Sequence, residues 1–61
     1  MSSGQIEEIR DYVIHIIKYY RDDYNRGRDY EYYTRLIKEA EAADEKQLEI
    51  FCQMTDDWFN Y

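Results

Sequence analysis

Proline is absent from this chain, and glycine occurs only at positions 4 and 27. A strand-rich domain of this size needs turn residues every eight to twelve positions, so their scarcity excludes a small β-sandwich or barrel. Cys52 is the one cysteine. It cannot form an internal disulfide, which excludes a disulfide-stapled scaffold. The apolar runs are short, none longer than three residues, as in Tyr12-Val13-Ile14 and Ile50-Phe51-Cys52, with Ile16-Ile17 shorter still. They fall far short of the ~20 residues that span a bilayer. Basic residues are also in deficit, eight against 14 acids for a net charge of −6. Binding to nucleic acid by phosphate neutralisation needs the opposite balance. No charged-then-apolar start of the signal-peptide kind is present, and the expected compartment is the cytoplasm.

What remains is one small domain of 61 residues. Ile6, Ile9, Val13, Ile16, Tyr20 and Tyr24 recur at spacings of three and four, with Tyr12, Ile17 and Tyr19 beside them. Glu7, Glu8, Asp11, His15, Lys18 and Asp22 take the other side. This pattern predicts an amphipathic helix over about residues 3–23, opened by a Ser2/Gln5 capping box. Asn25-Arg26-Gly27-Arg28 breaks it, with Gly27 suited to the left-handed conformation and Asn25 tolerant of it. Asp29 is the expected N-cap of a second helix, 29–43, whose stripe is Tyr30, Tyr33, Ile37 and Ala40 with Leu36 and Ala43 alongside. Asp44 and Gln47 match a second capping box, which predicts a turn at 43–44 and a third helix over 45–59. Its apolar face is Leu48, Phe51, Cys52, Thr55, Trp58 and Phe59. The expected fold is therefore an all-α three-helix bundle. The alternative is a two-helix hairpin whose long second helix runs through residue 44 and dimerises, since the apolar phase continues across that junction.

Catalytic and metal-binding chemistry find little support. His15 is the only histidine and lies on the polar face, whereas a zinc site needs three or four converging ligands. Cys52 lies on an apolar face among acids (Glu49, Asp56, Asp57), where nothing favours a thiolate. No phosphate-cradling glycine loop and no nucleophile elbow occur. The expectation is a protein with no enzymatic activity and no cofactor.

Two features rise above this background. Six of the eight tyrosines (Tyr19, Tyr20, Tyr24, Tyr30, Tyr32, Tyr33) flank Gly27. The periodicity can bury about half of them, and tyrosine is enriched in binding surfaces. The other feature is a charge gradient. Residues 44–61 hold Asp44, Glu45, Glu49, Asp56 and Asp57 against Lys46 alone, net −4. Asp56 and Asp57 fall where the third helix ends, and there each carboxylate opposes the helix dipole by about 0.3–1 kcal/mol. A sequence selected for helix stability alone would place basic residues there.

Together these point to a small acidic protein that docks on and modulates a basic site of a larger protein, such as one that handles nucleic acid. In composition it resembles the small acidic inhibitors of phages and mobile elements, anti-CRISPR proteins among them. That likeness is of general character and attaches to no particular stretch. The expected contact residues are Asp44, Glu45, Glu49, Asp56 and Asp57 as phosphate-like charges, with Trp58, Tyr61 and Tyr32 as aromatic anchors. Direct binding to nucleic acid or membrane is not expected. The rival reading is a self-assembling structural or adaptor module, a homodimer using Tyr20, Tyr24, Tyr33 and Phe51.

Overall fold

The computed structural model describes residues 3–60. It contains α1 (Ser3–Tyr19), extended by a π-helical segment Tyr20–Tyr24, then α2 (Tyr30–Ala42) and α3 (Glu45–Phe59). No strand occurs among the described residues. The chain is thus a three-helix bundle, and the two-helix alternative is excluded. Ser2, the cap of the expected Ser2/Gln5 box, lies outside the described residues.

The turn at 43–44 arises from local chemistry. Ala43 leaves the helical region at φ −71° and ψ 142°. The Asp44 carboxylate then accepts from the Gln47 backbone N–H at 2.9 Å, while the Asp44 N–H donates to Gln47 Oε1 at 3.4 Å. Two of the donors that a helix start leaves unpaired are satisfied reciprocally. This cap supplies the stop and restart for which no glycine or proline is present.

α1 packs against both α2 and α3, whereas α2 and α3 touch each other much less. The buried side chains reflect this. Val13, Ile16, Ile17 and Tyr20 come from the α1 side, Ile37 and Ala40 from α2, Ala43 from the turn, and Leu48 and Thr55 from α3. Thr55 avoids an unpaired hydroxyl by donating to the Cys52 carbonyl at 3.0 Å. Arg10 reaches across the bundle and donates to the Ala43 carbonyl at 2.7 Å. Its cation thereby sits at the negative end of α2, the favourable end for it.

Two expectations at the first turn need correction. Asp29 does not cap α2 with its side chain; it adopts φ 58° and ψ 34°, and the helix starts one residue later. Asn25 stays right-handed at φ −95°. Its amide instead donates to the Tyr20 carbonyl at 2.8 Å and to the Tyr33 hydroxyl at 3.1 Å. The left-handed positions are Arg26, Gly27 and Asp29, with Gly27 at φ 83° as expected. The end of the first helix also differs from a plain α-helix. The Asn25 N–H bonds to the Tyr20 carbonyl, five residues back, which widens the last turn.

Candidate acidic–aromatic docking surface

The tyrosines divide by position along the bundle. Tyr20 is buried, and its hydroxyl donates to the Trp58 carbonyl at 3.2 Å. Its ring centroid lies 4.8 Å from Trp58, 4.8 Å from Tyr24 and 5.7 Å from Phe59. Tyr33 is half-buried and meets Trp58 edge-on at 5.9 Å. The Tyr20–Phe59 and Tyr33–Trp58 pairs have the edge-to-face arrangement that aromatic rings favour, while Tyr20 meets Trp58 and Tyr24 at a tilt. Tyr19, Tyr24, Tyr30 and Tyr32 stay exposed, so only two of the six tyrosines around Gly27 are drawn in. Tyr24 illustrates why: α3 ends level with Tyr20, and one turn further on Tyr24 remains 67% exposed. Burial also removes Tyr20 from the set of rings that a dimer could share.

Burial first, and the neighbouring tyrosines second, push the Tyr20 phenol above the ordinary tyrosine range. Burial, with Asp56 adding to it, likewise raises the Cys52 thiol. Cys52 is half-buried and packs against the core, as its sequence context indicated. A raised thiol is a poor nucleophile at neutral pH. Among the described residues, no group of three or more His, Cys, Asp or Glu side chains converges to hold a metal ion.

The carboxylates of α3 are all exposed, but they do different work. Asp44 is occupied by the capping box. Glu45, Glu49 and Asp56 fall on one outward stripe, because positions four and seven apart share a helix face. Axial steps of about 6 Å and 10.5 Å separate them. Asp57 lies further round and accepts from the Gln53 amide at 3.3 Å. Of the positive charges near Gly27, Arg21 is held by several contacts. Arg21 binds Asp22 at 2.8 Å, donates to Thr34 at 3.2 Å and lies 4.5 Å from the centre of the Tyr30 ring. Hydrogen bonding to Arg21 is the main reason the Asp22 carboxyl sits below its ordinary range.

Trp58 is half-buried, so it is a wall of the surface more than a projecting anchor. With Glu49, Ile50, Gln53, Met54 and Asp57 it lines a shallow apolar hollow on α3. Tyr32 is 54% exposed on α2, and its ring meets Tyr33 edge-on at 5.2 Å. A chain of rings, Tyr32–Tyr33–Trp58, therefore connects α2 to this hollow. Tyr61 lies outside the described residues.

No protein-family model, curated protein or solved structure matches this chain.

On the α3 surface, sequence reasoning missed Ile50. It is 66% exposed and borders both this hollow and a second one formed with Glu39, Ala42, Gln47 and Phe51. The signal was available in the helical phase. Ile50 falls on the polar side of α3, near Gln53 and Asp57, where an isoleucine neither joins the core stripe nor favours helix formation. No helix among the described residues is long and apolar enough to cross a membrane.

Proposed function

We propose that this protein is a small acidic binding module that docks on, and thereby modulates, a basic surface of a larger protein. The observation that carries this reading is α3 itself, which exposes Glu45, Glu49, Asp56 and Asp57, with Glu49 and Asp57 bordering the exposed Ile50. Apolar contact supplies affinity, and surrounding charge steers encounter and selects the partner. Asp56 and Asp57 oppose the dipole of the helix they end, a cost of about 0.3–1 kcal/mol each that docking on a cationic surface would offset. A nucleic-acid-handling enzyme is a fitting target, with carboxylates standing where phosphates would lie. This is the kind of role that small acidic inhibitors of phages and mobile elements play. The expected setting is the cytoplasm, where a lone thiol such as Cys52 stays reduced.

The test is charge reversal. Asp56→Lys with Asp57→Lys should raise thermal stability, because cations suit a helix C-terminus, and should weaken partner binding. The two effects carry opposite signs, which separates docking from folding. Capture from lysate on immobilised protein, eluted by a salt gradient, would read the binding side. Retention of the same partner by the reversed variant, with elution at the same salt, would remove these carboxylates from the mechanism.

A further inference from the structure

The face of the α2–α3 pair turned away from α1 is where a fourth helix would fit. α1 closes one side of that pair, with Thr34 on the α1-facing flank of α2 bonded to Arg21. On the other side, Tyr32, Leu36 and Glu39 follow one another along α2 at spacings of four and three, the repeat of a single helical stripe. Across from them, α3 presents Ile50, Phe51, Met54 and Trp58. Leu36, Phe51 and Trp58 pack against the core yet remain only partly covered. The two hollows on this face meet at Ile50. From Gln47 to Trp58 they run about 16 Å along α3, or three helical turns.

The charged residues lining both hollows are Glu39, Glu49 and Asp57, all acidic. This decides between occupants. A second copy of the chain, related by two-fold symmetry, would set these carboxylates against their own equivalents. An anionic lipid surface or a nucleic acid would be repelled in the same way. A helix with an apolar stripe flanked by lysine or arginine satisfies both the apolar floor and the acidic rim. We infer that the α2–α3 face receives one basic amphipathic helix of a partner protein, which completes a four-helix arrangement around Ile50, Met54 and Trp58. This rests on the docking function proposed above and names the form that the partner takes.

The probe is an 18-residue lysine/leucine peptide with leucines at i, i+3, i+4 and i+7. It is compared with a shuffled peptide of the same composition that has no stripe, and with a glutamate/leucine analogue. Binding is followed by amide chemical shifts of the labelled protein. The expected result is saturable binding of the striped basic peptide, with shifts concentrated at Tyr32, Glu39, Ile50, Met54 and Trp58. The shuffled peptide should bind at least tenfold more weakly and the acidic one not at all. Ile50→Ser, at an exposed position where folding is undisturbed, should weaken the striped peptide at least tenfold. Equal binding of striped and shuffled peptides, or indifference to Ile50→Ser, overturns the inference. If Glu49→Lys with Asp57→Lys still abolishes that binding, docking through carboxylates survives and only the helix-in-groove form fails. If neither basic peptide binds at low salt, both readings fail. Concentration-dependent broadening of these same residues without peptide would overturn the inference in favour of a second copy.

Discussion

At the scale of single residues, the decisive side chains are those that touch two helices. Tyr20 is the clearest case, since one ring meets Trp58 and Phe59 while its hydroxyl pairs with the Trp58 carbonyl. Its raised phenol has a consequence for alkaline stability. The folded chain holds a proton that the unfolded chain releases above about pH 10, the ordinary tyrosine value. Stability that is complete below that pH is therefore lost as pH rises through the folded-state value. Urea unfolding at pH 8 and at pH 10.5 should show a drop in the native protein and a smaller one in Tyr20→Phe. An equal drop in both would mean that other groups carry the alkaline transition. Asp44 teaches a different lesson at this scale. It was expected both to cap α3 and to face a partner, and its carboxylate does form the cap.

At the scale of elements, the turn between the first two helices holds three left-handed residues within four positions, and two of them are not glycine. A side chain in that conformation costs about 1–2 kcal/mol. Gly27 has open space where a Cβ would go, so Gly27→Ala meets only the backbone penalty. It should destabilise by about 1 kcal/mol. Arg26, at φ 51°, is the mirror case. Arg26→Gly should relieve strain and, after the entropic cost of glycine, stabilise by a few tenths to about 1 kcal/mol. Thermal melts of the two variants shifting in opposite directions would verify this, and a shared direction would contradict it. The turn between α2 and α3 needs no such strain, because the Asp44–Gln47 cap works with ordinary backbone geometry.

At the scale of the whole molecule, stability depends on α1, since α2 and α3 lean on it more than on each other. The core is narrow, with Ile17, Leu48 and Val13 its largest fully buried apolar side chains. Folded proteins hold about 0.05–0.15 kcal/mol per residue, or roughly 3–9 kcal/mol for a chain this long. Leu48→Ala should cost about 2–5 kcal/mol and leave a large unfolded fraction at room temperature. Far-UV circular dichroism would register the lost helix, and an unchanged spectrum and melting curve would show that the bundle stands without Leu48. A binding helix on the open face would then restore part of the lost stability by mass action.

The order of the elements was legible because its causes are local: period-3.6 stripes, Gly27 as a break, and the Asp44–Gln47 cap acting within one turn. Less legible was the fate of residues whose surroundings depend on where other helices end. Tyr24 belongs to the stripe of the first helix yet stays wet, because α3 stops level with Tyr20. Asp29 has the chemistry of a cap, but the geometry of the turn that joins two packed helices places it in a left-handed conformation. Ile50 stood out in the helical phase as an isoleucine on the polar side of α3, but only the structure set it between Glu39, Phe51 and Met54. The amino-acid sequence by itself determined the helices and the acidity of the last one, since backbone hydrogen bonding and charge follow from near neighbours. Only the tertiary structure decided which rings are buried and which face stays open, because burial depends on residues distant in the chain.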